Sequence, residues 1–160
     1  MASRQGDFER AAELYDAARE QFQALVAESE LIDTDARIAE ALAFQGRSED
    51  AIELTTACLK RTTAGGGATQ DPLLHRVRGY AYAQRAGWEP AERDFNRSLE
   101  IAKARNARHE VAHALDAMAR VAEARGGSDP AARAQADELY EALGIVFVPA
   151  VPLEIVRVSA

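Results

Sequence analysis

The sequence holds one cysteine, one tryptophan and two methionines among its 160 residues. Cys58 alone cannot close an internal disulfide, which fits a reducing compartment, and it reads as a small buried apolar side chain. Aromatic residues make up 6% of the chain. A core of large rings is therefore excluded, and the frequent alanines favour helices packed closely through small side chains. Long apolar runs are missing as well. The most apolar stretch, from Ile145 to Val156, is interrupted by Pro149, Pro152 and Glu154 and is too short to span a bilayer as a helix. Basic charge is in deficit: the net charge is −7, which repels phosphate, so neither nucleic acid nor an anionic membrane is an expected partner. The first residues, M-A-S-R-Q-G-D-F, carry no secretory leader pattern, and a cytoplasmic protein is expected. Phosphate-loop and nucleophile-elbow patterns are also missing. Gly65 to Gly67 lack the lysine that a phosphate loop needs, no G-x-S-x-G occurs, and no cofactor is expected.

What the sequence does have is a repeat. Ala11, Ala51, Ala91 and Ala131 fall at intervals of 40 residues, in the frames G-D-F-E-R-A, G-R-S-E-D-A, A-G-W-E-P-A and G-S-D-P-A. A turn residue is followed by acidic or proline residues, which suit the first turn of a helix where the dipole is positive and N–H groups lack partners. Pro90 and Pro130 thus read as helix starters. Tyr15, Thr55, Phe95 and Gln135 follow four residues after each alanine, and Ala18, Cys58, Ser98 and Glu138 follow seven after. That is the i, i+4, i+7 stripe of a packing helix. Ahead of the turns, Ala39, Gly79 and Ala119 are in phase, as are Leu42, Tyr82 and Ala122, marking a preceding helix. Each unit is helix, turn, helix.

The expectation is an all-α fold with seven helices at about 7–30, 34–45, 49–62, 72–86, 89–104, 107–125 and 129–143. Asp71-Pro72 opens the fourth of these, Gly144 caps the last, and residues 64–70 form a flexible insertion. The helical domain is expected over 1–144, divided into a half repeat at 1–32 and repeats at about 33–70, 71–105 and 106–144. Because Gly6 sits in a turn position, the first unit lacks its first helix and would leave Phe8, Ala11, Leu14, Tyr15 and Ala18 partly uncovered. A fragment of a longer array, or a homodimer through that face or through the tail, is expected. Residues 145–160 form an extended apolar tail that either caps the last helix pair or pairs with another chain.

Residues 73–101, L-L-H-R-V-R-G-Y-A-Y-A-Q-R-A-G-W-E-P-A-E-R-D-F-N-R-S-L-E-I, resemble a tetratricopeptide repeat. Gly79, Tyr82, Ala91 and Phe95 match its small, aromatic, small, aromatic frame, and Trp88 matches the aromatic after the turn. His75, Arg78 and Ser98 depart from the pattern, standing where the family has tryptophan, an apolar residue and alanine. The period of 40, longer than the family's 34, is shared with HEAT-type repeats, which stay open as an alternative. The segments 34–47, 70–81 and 139–153 together resemble the C-terminal helical region of bacterial regulators of the adenylate/guanylate-cyclase and LuxR types. The resemblance implies a non-catalytic arm that binds a protein or peptide, or an adjoining domain of the same polypeptide. In tetratricopeptide arrays the first helices line a concave groove. By that likeness the groove here would be lined by Arg37, Glu40 and Phe44, by Arg76, Tyr80 and Gln84, and by Asp116, Arg120 and Glu123.

One motif points elsewhere. H-E-V-A-H at 109–113 has the zincin pattern, with His109 and His113 on one helix face as metal ligands and Glu110 as general base. The extended form is missing, since Asp116 and Ala119 stand where glycine and a third histidine would. Glu138 and Glu141 are the candidate third ligands. A zinc metallopeptidase is the remote alternative; the bland reading is the first turn of a repeat helix.

Overall fold

The computed structural model describes residues 8–65 and 69–153; the side chains of 8–19, 22 and 25 lie outside that description. Six helices and no strand occur among the described residues: α1 Phe8–Phe44, α2 Ser48–Ala64, α3 Asp71–Gln84, α4 Trp88–Ala104, α5 Arg108–Ala124 and α6 Pro130–Leu143. No helix among them is long and apolar enough to cross a membrane. The chain divides into two compact units, one up to Thr34 and one from Asp35 onward.

The helix break expected near residues 31–33 is not there, and seven helices become six. Leu31-Ile32-Asp33-Thr34 contains neither glycine nor proline to stop a helix. The Thr34 hydroxyl donates back to the Glu30 carbonyl at 3.0 Å, a bond made inside a helix and not at an N-cap. In the first unit Ile32 is buried while Val26 and Leu31 are exposed. The side chains of the stripe expected from Phe8 to Ala18 lie outside that description, and the turn at Gly6 lies outside the described residues. So do 66–68 of the expected flexible insertion and 154–160 of the tail.

In the second unit the remaining boundaries agree with expectation to within two residues. Five helix ends close in the same way. The N–H groups of Arg47, Gly87, Ala107, Gly127 and Ile145 donate to the carbonyls of Leu42, Tyr82, Ala102, Ala122 and Tyr140, each at 2.9 Å. This is the 6→1 bond of a Schellman turn. The residue before each donor has positive φ: Gly46 at 73°, Ala86 at 57°, Asn106 at 54°, Gly126 at 83° and Gly144 at 69°. Three of the five, Gly46, Ala86 and Gly126, recur every 40 residues, so the repeat is a repeat of turns as much as of helices.

The packing stripes follow the turns. α2 buries Ala51, Thr55, Cys58 and Thr62, and α4 buries Ala91, Phe95, Ser98 and Ala102, four positions each in 40-residue register. On the preceding helices Ala39, Gly79 and Ala119 are all buried, as are Ala36, Arg76 and Asp116. The register slips once. Ala131, Gln135 and Glu138 are exposed, and the buried positions of α6 are Ala132, Ala136 and Tyr140. The final turn carries one extra residue between Gly126 and the start of the stripe, so the helix phase shifts by one. Asp129 caps this helix by accepting from the Ala132 N–H at 3.0 Å, and Pro130 occupies its first position, where a missing N–H costs nothing.

Neighbouring helices pack in sequence, α2 on α3, α3 on α4, α4 on α5 and α5 on α6, while α3 also touches α5. The first helices of successive units thus form a row, in a solenoid-like arrangement. Two apolar clusters stand out among the described residues of the unit. One gathers Tyr80, Ala83, Ala91, Phe95, Ala117 and Val121; the other gathers Ala112, Leu115, Ala119, Ala132, Ala136 and Tyr140. Tyr80 and Phe95 meet edge to face, with centroids 5.3 Å apart. The three departures from the tetratricopeptide pattern turn out to be polar links between α3 and α4. Arg78 binds Asp94 through Nε at 2.7 Å and Nη2 at 2.8 Å, His75 Nδ1 lies 2.7 Å from the same carboxylate, and Ser98 donates to the Pro72 carbonyl at 2.7 Å. Cys58 is fully buried.

Residues 145–153 form neither helix nor strand. They leave α6 through Gly144, whose left-handed φ turns the chain back. Ile145 and Val148 pack on the α5–α6 cluster, and Val151 and Leu153 on the Tyr80–Phe95 cluster. The tail therefore reaches beyond the last helix pair and crosses to α3.

Candidate functional site

Six of the nine side chains expected in a groove line one cavity of about 220 Å³: Arg37, Glu40 and Phe44 from α1, Arg76 and Tyr80 from α3, and Asp116 from α5. They meet there because residues 76 and 116 share one register position, 37 and 77 the next, and 40 and 80 another about a turn further along each helix. His109, Glu110 and His113 of α5 complete the wall, and Val148, Pro149 and Val151 of the tail close it. The other three lie apart from this cavity. Arg120 lines a separate surface depression with Arg133, Tyr140 and Phe147. Glu123 pairs with Arg133 at 3.2 Å. Gln84 is taken by the backbone: its Nε2 donates to the Ala43 carbonyl at 2.7 Å and to the Pro152 carbonyl at 2.9 Å. Its Oε1 is buried without a partner among the described residues.

The charges around the cavity are paired with one another. Arg37 meets Glu40 at 3.2 Å, Arg76 meets Glu110 at 2.5 Å, and Asp116 accepts from Arg120 at 2.7 Å and from Arg133. Burial opposes ionisation of Glu110, but the Arg76 guanidinium outweighs it and holds the carboxyl below its usual range. A buried pair of this kind fixes geometry more than it adds stability.

The H-E-V-A-H segment opens α5, one residue in. His113 Nε2 and His109 Nε2 are 3.0 Å apart, and His113 Nδ1 lies 3.0 Å from the Tyr140 hydroxyl. If Tyr140 donates to Nδ1, then Nε2 of His113 carries its proton toward His109, a chain that needs a neutral His113. Desolvation, then the nearby Arg76 and His109, lower the His113 pKa from 6.5 to about 4, so the neutral form is the one present at neutral pH. Glu110, the general base of the zincin reading, is turned onto Arg76. Glu138 and Glu141 are exposed on α6. Among the described residues no three His, Cys, Asp or Glu side chains come together as a metal-holding group.

Two features, one beside the site in the α3–α4 link and one closing the site, had no sequence signal of their own. Asp94 sits in no motif, and only its position one residue before the packing stripe, facing His75 and Arg78 on α3, reveals its role. The tail's place against α1 and α3 was equally hidden, because an extended segment has no helical period with which to predict a docking face. Compared with family models, with curated proteins and with solved structures, the chain matches none.

Proposed function

We propose that the chain is a non-catalytic protein-interaction module of tetratricopeptide type, the regulatory C-terminal region of a larger signalling or transcription-regulating protein. The observation that carries this reading is the convergence of Arg37, Glu40, Phe44, Arg76, Tyr80 and Asp116, from three successive first helices, on one cavity. Paired charges with an apolar or aromatic neighbour at each step suit the capture of a peptide segment along the row. Arg76 and Tyr80 are buried and carry packing, so the informative substitutions are at Arg37 and Phe44, which are not. Peptides selected from a random displayed library on the wild-type chain should lose at least tenfold in affinity for Arg37→Ala/Phe44→Ala while helicity is unchanged. Equal binding by the variant removes the groove from this reading, and a library that yields no binder removes the reading itself.

A homodimerisation arm is the second reading. It is favoured by the exposed apolar side chains Val26 and Leu31 in the first unit. Val26→Glu/Leu31→Glu would then convert a dimer to a monomer in sedimentation equilibrium; a wild-type chain that is monomeric at high concentration excludes it.

A further inference from the structure

From Ile145 to Val151 burial along the tail has a period of three. Ile145, Val148 and Val151 are partly buried, while Val146, Phe147, Pro149, Ala150 and Pro152 are exposed; Leu153, just after Pro152, is partly buried too and packs on the same cluster as Val151. A strand would alternate every second residue and a helix every three to four. A period of three is that of polyproline II, which has three residues per turn and no internal hydrogen bonds. The sequence agrees, since Pro149 and Pro152 are themselves three apart and fix φ near the polyproline value. A backbone of this form leaves its carbonyls free, and one of them, that of Pro152, is read by Gln84 Nε2 at 2.9 Å. The surface that receives it supplies Val77 and Tyr80 from α3 and Phe44 from α1, and its charges are already matched within pairs. Such a surface rewards an uncharged segment and gives a charged one no free counter-ion.

We infer that the face of α1, α3 and α5 is a docking site for a polyproline-II segment, with an apolar side chain every third residue and proline between, and that residues 148–153 are its resident ligand. This rests on the reading that the groove captures a protein segment, and it names the chemistry of that segment. The partner is an extended proline-containing stretch that displaces the chain's own tail. Because the tail is tethered through Gly144, it competes at an effective concentration on the order of millimolar, and the site opens only to a segment that fits better or is itself held nearby.

The test uses the full chain and a fluorescent peptide with the sequence of residues 145–153, followed by anisotropy. Two tail variants release the site without touching its walls: Val148→Asp/Val151→Asp, and the milder Pro149→Gly/Pro152→Gly, which removes the preset φ and keeps the valines. Each is first checked for wild-type helicity; if the charged variant loses it, the glycine variant carries the measurement. A folded released variant should bind the peptide at least tenfold more tightly than wild type does. A peptide with both prolines replaced by alanine should bind at least tenfold more weakly than the parent peptide. Gln84→Ala in the released background should also weaken binding. Folded released variants that bind no better than wild type overturn the inference. An amphipathic-helix peptide separates the two levels: if it binds and the proline peptide does not, the groove survives and the polyproline chemistry fails, and if neither binds, both fail. A wild-type dimer that the peptide dissociates would show the resident segment to be a second copy's tail, which also overturns a partner in trans.

Discussion

The ring of Phe95 fills the space in front of Gly79. A Cβ built at Gly79 would lie 2.6 Å from Phe95 Cε1 and 2.8 Å from Cδ1. Neither side can give: Phe95 is fully buried in α4, and its ring is held edge-on by Tyr80. Gly79→Ala should therefore destabilise the protein by about 2 kcal/mol or more, although alanine is the better helix former by about 1 kcal/mol. Urea denaturation followed by circular dichroism measures the balance. A stabilised variant would mean that α3 and α4 do not approach as closely as this.

Ala86 should respond in the opposite sense. It holds φ at 57° in the turn between α3 and α4, where its counterparts Gly46 and Gly126 are glycines. An L-residue pays about 1 kcal/mol for the left-handed region, part of which glycine returns as unfolded-state entropy. Ala86→Gly is expected to stabilise by roughly 0.5 kcal/mol, and Gly126→Ala to destabilise by about 1 kcal/mol. Thermal melts of the two variants that move in the same direction would contradict the turn geometry.

Asp94 is buried against His75 and Arg78. Burial raises the cost of its charge, but hydrogen bonds from His75 and Arg78 prevail and keep its carboxyl below the usual range. Removing the charge leaves a guanidinium half-buried without its bidentate acceptor. Asp94→Asn should cost about 2–4 kcal/mol, while Arg93→Ala next to it, on the exposed side of the helix, should stay within about 0.5 kcal/mol. Comparable losses from both would show that the link carries no special weight.

These residues also mark what could be read from the sequence. The turns at Gly46, Ala86 and Gly126 and the stripes of α2 and α4 were legible because side-chain size and turn chemistry repeat every 40 residues. The register of α6 was not, since one inserted residue after Gly126 is invisible to a search at fixed period. The continuity of α1 was misjudged because the 40-residue register calls for a separate first helix around Ala39 and Leu42, and only the bond from Thr34 back to Glu30 shows a helix interior there. His75, Arg78 and Ser98 stood out as departures from a pattern, but their shared purpose depended on Asp94 and Pro72, 16 to 26 residues distant. Six groove residues were brought together because slot position predicts direction along a row. Gln84 had the right direction too, yet the tail reached it first.

Acid should weaken the protein in a window assigned to His113. Its neighbours are Arg76 across the cavity, His109 and Glu110 on its own helix, Asp116 one turn on, and Tyr140 of α6. The unfolded imidazole takes up a proton near 6.5, whereas the folded one holds out to about 4. Between those values the unfolded state binds more protons, so stability rises with pH: the contribution is complete above about 6.5 and is lost progressively as pH falls toward 4. The whole interval is equivalent to roughly 3 kcal/mol, and solvent screening of a partly exposed ring reduces it to about 1–2 kcal/mol. Asp94 and Glu110, whose carboxyls are lowered, add their losses only below the ordinary carboxylate range, so the interval from pH 6.5 to 5 isolates the imidazole. Urea midpoints at pH 7 and pH 5 should differ by about 1 kcal/mol in the wild type. In His113→Gln, which keeps a polar partner for Tyr140, that difference should shrink to a few tenths. An equal drop in both proteins would place the acid sensitivity elsewhere and remove the neutral His109–His113–Tyr140 chain from the account of how α5 and α6 are held together.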